Sequence, residues 1–199
     1  LLKRCDETND CGGVQKVIEF KIGNDSYGSF QPNFADILLK KYSHVFCKVN
    51  GSIRLQPDLE NGTPEERTRV VGTVNDELKE DGTIKGWRNE LLPVACSFNA
   101  EPAFLIERAA CAYFGIRAYG VHVVGYERND ASDPSAVTHL WVATRSSKKQ
   151  TYPGALDHIV AGGISYGISP YQCVIKECEE EASIPKALAH HAHSVGSLS

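Results

Sequence analysis

The sequence predicts a mixed chain of strands and helices, α+β or α/β in class. Three observations predict it. Short apolar runs separated by turn residues alternate with longer runs of helical period. Asn50-Gly51 sits between two such short runs, a strong hairpin signal. Two segments open with capping chemistry, Thr63-Pro64 with Glu66 and Ser169-Pro170 with Gln172.

In chain order, residues 1–13 are polar and expected to fray. Val17 to Phe20 is expected as a strand, Gly23-Asn24-Asp25 as a turn and Tyr27–Phe30 as a second strand. Asn33 is the expected cap of a helix through Ile37, Leu38, Leu39 and Tyr42. Val45–Val49 and Ile53–Leu55 form the hairpin about Asn50-Gly51. The helix opened by Thr63 runs to about Glu80 and stops before Gly82. Asn99 or Glu101 is expected to start the next helix, which ends at Gly115. Tyr119–Tyr126 and His139–Arg145 are expected as strands, with polar loops at 128–135 and 146–150. Leu156–Ala161 leads to a glycine turn at Gly162-Gly163, and Ala192–Leu198 begins a further strand.

The segment with the most chemistry follows that turn. Glu177, Glu180 and Glu181 are spaced three and four apart. On a helix their side chains share an arc of roughly 100°. Val174, Cys178 and Ala182 form a neighbouring apolar arc, and Glu179 points away. Such carboxylates repel one another by about a few tenths of a kcal/mol per pair. The cluster makes sense around a hard divalent cation, Mg²⁺ first. The plainer alternative is an acidic, solvated face. Pro185 closes the segment.

Composition narrows the class. The chain has 199 residues, 42% hydrophobic and 23% charged, with net charge −4. That length suits one large domain or two small ones, divided near residues 97–117. No apolar run approaches 18 residues, so no transmembrane helix is expected. No basic block favours a nucleic-acid duplex. The seven cysteines are odd in number and lack any C-x-x-C pair. They argue against a disulfide framework or structural zinc, and for a reducing compartment such as the cytosol or an organelle matrix rather than secretion. Cys96, Cys111 and Cys178 have apolar settings and are expected as small buried hydrophobes.

The run from Gly162 to Ile184 resembles the Nudix box, G-x5-E-x7-R-E-u-x-E-E-x-G-u with u apolar. Gly162, Glu177, Cys178, Glu180, Glu181 and Ile184 match it, while Ile168, Lys176 and Ser183 replace its first Glu, its Arg and its last Gly. Upstream strings extend the resemblance over most of the chain from about residue 17. They include Gly86-Trp87-Arg88-Asn89-Glu90-Leu91-Leu92-Pro93-Val94, Phe104-Leu105-Ile106-Glu107-Arg108 and Tyr119–Tyr126. They resemble a subgroup related to thiamin pyrophosphokinase, in which an amino-terminal domain without an assigned role precedes the Nudix domain.

The resemblance implies an amino-terminal α+β domain at 14–112 and a Nudix α/β/α sandwich at 113–199. The sandwich would be incomplete at its carboxy-terminal end, and the chain a fragment. It also implies a Mg²⁺-dependent pyrophosphohydrolase, with Mn²⁺ as an alternative ion. Glu177, Glu180 and Glu181 would be the metal-binding and catalytic residues. Arg145, Gly162, Gly163 and Lys176 would meet the substrate phosphates. The implied partner is a diphosphate-containing small molecule, thiamin diphosphate or its oxidised derivatives. Oxidised nucleoside triphosphates are the alternative, and a non-catalytic binding module of the same fold is a second class.

Smaller features are expected to do less. His190, His191 and His193 suit a solvated turn better than a transition-metal site. Lys148 and Lys149 fit a phosphate contact or a charged loop equally well. Trp87 with Arg88 is better explained by packing than by stacking on a ligand. Asp157 is a candidate to orient the glycine turn, and Gly167 to let backbone approach a diphosphate.

Overall fold

The computed structural model describes residues 17–130, 132–133, 136–148 and 152–197. The expected frayed start lies outside them. The chain divides after Arg117 into two compact units. The expected division at 112/113 lies within the helix Arg108–Phe114.

The first unit is built on a four-stranded sheet. Strands β1 (Ile18–Ile22) and β2 (Asp25–Phe30) form a hairpin, and β3 (Phe46–Val49) and β4 (Ser52–Leu55) form another. The order is β2-β1-β4-β3, with β1 parallel to β4. Asn50 and Gly51 both have positive φ, 48° and 84°, as the tight hairpin turn requires. Helix α1 (Pro32–Lys41) buries Phe34, Ala35 and Leu38. It starts two residues earlier than expected, with Gln31 as N-cap in place of Asn33 and Pro32 in the first turn. Asn33 is inside the helix, and its Oδ1 accepts from the Phe34 N–H.

A single turn, α2 (Pro57–Glu60), leads to α3 (Pro64–Glu80). The Thr63 hydroxyl accepts from the Glu66 N–H at 3.2 Å, as the capping signal predicts. The helix expected from Asn99 or Glu101 is a correction. Residues Phe104–Glu107 form strand β6, paired antiparallel with β5 (Leu91–Val94), and only Arg108–Phe114 is helical (α4). An apolar tetrapeptide suits either element; pairing with Leu91–Val94 decides it. Glu107 caps α4, and Gly115 closes it in the left-handed conformation at φ 56°.

Phe20, Phe30, Phe46, Phe104 and Phe114 are buried together. Phe30 and Phe114 meet edge-on at 5.2 Å, and Phe20 lies 5.3 Å from Phe30. Burying each ring stabilises the fold by about 1.5–3 kcal/mol, with a further fraction from edge-to-face geometry.

The second unit consists of paired strands and two helices. Strand β7 (Gly120–Val123) pairs with β12 (Val160–Gly163), β8 (Gly125–Arg128) with β9 (Val137–Trp141), and β10 (Ala143–Thr144) with β11 (Leu156–Asp157). The two long strands expected here are each broken, at Val124 and Val142, because their halves take different partners. Helix α5 is Pro170–Ala182 and α6 is Lys186–Ala189. The strand expected at 192–198 does not form over 192–197, and Leu198 lies outside the described residues.

Val160, Cys178 and Ala189 are the buried centre of this unit, with Val123, Ile159, Val174 and Ile184 against them. Ala182, expected on the inward arc, is exposed. Cys111 and Cys178 are buried and Cys96 is half-buried; all five described cysteines are thiols. Burial pushes the Cys111 thiol up to about 12, which leaves it unreactive at neutral pH.

Candidate functional site

Helix α5 presents the acidic face from a well-anchored start. The Ser169 hydroxyl accepts from the Gln172 N–H at 3.2 Å, and Gln172 Oε1 accepts from the Ser169 N–H at 2.9 Å. This reciprocal pair is the capping box the sequence predicts. At the other end Ser183 adopts the left-handed conformation at φ 54°, where the resembling pattern has glycine. The Ile184 N–H then folds back to the Cys178 carbonyl at 2.9 Å.

Gly162 and Gly163 do not form the expected turn. They are the end of β12, paired with Val121 and Gly120. The bend follows at Tyr166-Gly167, where Gly167 has φ 81°. Ile168 is half-buried within it and donates its N–H to the Ser165 carbonyl at 3.3 Å. The strand explains Gly162 in a way spacing alone does not. A Cβ added there would lie 2.2 Å from Glu177 Cγ, 2.3 Å from Cδ and 2.7 Å from Oε2. Glu177 therefore lies directly on the strand backbone, in space only glycine leaves open. Its side chain is 12% exposed.

The other two carboxylates are arranged differently. Glu181 Oε2 accepts from the Ala161 N–H at 3.2 Å, which ties the helix to the same strand. Glu180 is 58% exposed. The Lys176 ammonium stands 3.2 Å from Glu177 Oε1 and 3.4 Å from Glu180 Oε2. Its pKa is raised, first by the hydrogen bond to Glu177. A positive charge is thus stabilised between two of the three carboxylates. Among the described residues no three His, Cys, Asp or Glu side chains converge on a single point as they stand. The donor set is all oxygen, which suits a hard cation such as Mg²⁺ rather than a soft one. Glu179 faces away and pairs with Lys186 at 3.1 Å, as the helical phase predicts.

Arg145 follows β10. Its Nη1 donates to Asp157 Oδ2 at 2.9 Å, and this partner holds the Asp157 carboxyl below its ordinary value. Asp157 therefore orients Arg145, not a glycine turn. Lys148 is exposed, and Lys149 lies outside the described residues. His190 Nδ1 is 2.8 Å from the Tyr171 hydroxyl, while His191 and His193 are exposed. Trp87 packs against the core of the first unit, as expected.

One juxtaposition has no local signal. His122 on β7 and His158 beside β11 face each other, with Nδ1 atoms 3.2 Å apart and rings 4.4 Å apart. Their separation in sequence is bridged by the β7–β12 pairing, which a single sequence does not reveal.

Comparison with known proteins adds family membership. The family described as "Domain of unknown function (DUF4743)" matches residues 1–118, more than half of the chain. The chain belongs to the DUF4743 family. Two relatives of this DUF4743 chain come from Arabidopsis thaliana. It is 42% identical over 202 residues to "Nudix hydrolase 24, chloroplastic", covering 94% of this chain and 53% of that protein. It is 41% identical over 207 residues to "Nudix hydrolase 20, chloroplastic", covering 100% of this chain and 53% of that protein. The chain thus spans about half the length of these curated relatives. It is also 42% identical over 118 residues to "Uncharacterized protein YJR142W" of Saccharomyces cerevisiae, covering 58% of this chain and 33% of that protein. No helix among the described residues is long and apolar enough to cross a membrane.

Proposed function

We propose that this DUF4743 chain carries the metal-binding helix of a Mg²⁺-dependent Nudix pyrophosphohydrolase, with Mn²⁺ as an alternative ion. The observation that carries the reading is the seat of Glu177 on Gly162, the leading glycine of the box. Identity above 40% to two proteins named Nudix hydrolases supports it. The second unit would then belong to a Nudix α/β/α sandwich, and the first unit to the amino-terminal domain that precedes it.

Glu177, Glu180 and Glu181 would hold the ion. When bound, Mg²⁺ supplies charge neutralisation on the diphosphate and a lowered pKa for a coordinated water. The chain's own groups do the rest. Gly162 keeps the Glu177 carboxylate against the strand. The Ala161 N–H holds Glu181 in line with it. Lys176 turns from its carboxylate partners toward phosphate oxygens. Arg145, oriented by Asp157, brings a second positive charge of fixed direction. Gly163 completes a backbone wall without a side chain.

The substrate class we favour is thiamin diphosphate or its oxidised derivatives, with oxidised nucleoside triphosphates second. The compartment is a reducing one, the cytosol or an organelle matrix. A non-catalytic binding module is the second reading, favoured by Lys176 bridging Glu177 and Glu180 and by Ile168 at the first Glu position. The test is phosphate or monophosphate release by the full-length protein, with and without Mg²⁺. Thiamin diphosphate, its oxidised forms and a nucleotide panel are offered. Metal-dependent release from one class identifies the substrate. No release by a folded protein moves the assignment to the binding module.

A further inference from the structure

The first unit contains a groove of about 350 Å³ between one face of α3 and the β5–β6 ribbon. Thr68, Gly72, Asn75 and Lys79 line it at helical spacing, one turn apart. Leu91 and Leu105 form the apolar strand side, and Trp87 closes one end. The volume is within the range of small-ligand sites.

Asn75 is the anomaly. Its side chain is fully buried, and among the described residues neither Oδ1 nor Nδ2 has a hydrogen-bond partner. A buried amide left unpaired costs about 1–3 kcal/mol per group, so such groups are rare without a reason. Two neighbouring polar side chains here are satisfied. Thr68 Oγ1 accepts from the Leu105 N–H at 2.9 Å. The Glu107 carboxylate accepts N–H groups from Arg88, Glu90 and Ala109. Among the described residues that line the groove, the buried unpaired side chain is that of Asn75. Beside it, the Lys79 ammonium lies 4.5 Å over the Trp87 ring. Lys79 is exposed and one turn beyond Asn75. A cation on an indole face occupies the position a stacking ring would take.

We infer that this groove binds a neutral, planar heterocycle of nucleobase type, its amide- or amidine-like edge paired with Asn75 and its ring stacked on Trp87. A carboxamide offers one donor and one acceptor side by side, the complement of such an edge. Lys79 swings outward when the ring enters and frees the face of Trp87. Gly72 leaves the mouth open, since a Cβ there would meet nothing within 4 Å. The carboxylates of Asp76 and Glu107 border the groove and disfavour a phosphorylated ligand. This site is independent of the acidic helix and gives the DUF4743 domain a binding role of its own.

The test uses tryptophan fluorescence. The chain has two tryptophans, so Trp141→Phe leaves Trp87 as the reporter. Adenine and cytosine are titrated, with benzene as the ring lacking an edge. Saturable quenching by a base, with a Kd on the order of 1 mM or tighter, is expected. Asn75→Leu should weaken it at least tenfold. Gly72→Leu should do the same without touching the core, because leucine favours the helix and fills the mouth. No saturable quenching by either base, equal quenching by benzene, or quenching unchanged in Gly72→Leu overturns the inference.

Discussion

Gly162→Ala tests the seat of Glu177 directly. The new Cβ would lie 2.2 Å from Glu177 Cγ and 2.3 Å from Cδ. Carbon atoms rest about 3.5–4.0 Å apart, so the Glu177 side chain must recede by roughly 1.3–1.8 Å. Overpacking of this kind costs about 1–3 kcal/mol, offset by about 0.4–1 kcal/mol from the stiffer unfolded chain. For a chain of 199 residues the melting temperature should fall by only a few degrees, at roughly 2–4 °C per kcal/mol. Activity should suffer far more, because a catalytic group displaced by about 1 Å loses on the order of 100-fold. The assay is Mg²⁺-dependent diphosphate hydrolysis at 25 °C beside a thermal melt. A variant that melts slightly lower yet turns over within threefold of the parent would refute Glu177 as the seated ligand.

Glu180→Gln should abolish Mg²⁺-dependent turnover and leave the melting temperature unchanged, since its side chain is exposed; retained activity removes it from the site. Glu179→Gln should be nearly silent in the same assay, because Glu179 faces Lys186 at the surface. Ser183→Gly should stabilise the chain by about 0.5–1 kcal/mol in a urea titration, because glycine adopts φ 54° without a Cβ penalty. Asp157→Asn should cost on the order of 0.2–1 kcal/mol at pH 7. Arg145 lowers the folded pKa of Asp157, so that stabilisation is full above the unfolded value of about 3.9 and fades as pH falls through the folded one. The gap between Asp157→Asn and the parent should therefore close in acid, and a gap that widens would contradict the ion pair.

Much of the candidate site is legible without coordinates. The capping box, the three-and-four spacing of Glu177, Glu180 and Glu181, and the outward phase of Glu179 are local properties of one helix. The hairpin at Asn50-Gly51 is equally local. Misreadings cluster where a second strand decides. Phe104–Glu107 is ambiguous until Leu91–Val94 pairs with it. Tyr119–Tyr126 looks continuous until its halves take β12 and β9 as partners. Ala182 falls on the apolar arc by phase, yet it is exposed, while Cys178 one turn earlier is buried.

Caps, turn residues and helical phase were set within a few residues of chain, because hydrogen bonds and side-chain periodicity act over that range. That is why the acidic face of α5 and both of its ends can be read from residues 169–185. The contacts that give the face its meaning came only with the fold. Glu177 on Gly162, Glu181 on the Ala161 N–H, His122 against His158 and the unpaired amide of Asn75 each depend on elements distant in sequence. Strand pairing and packing choose among many partners of similar local preference, and only the whole arrangement of buried surface decides between them.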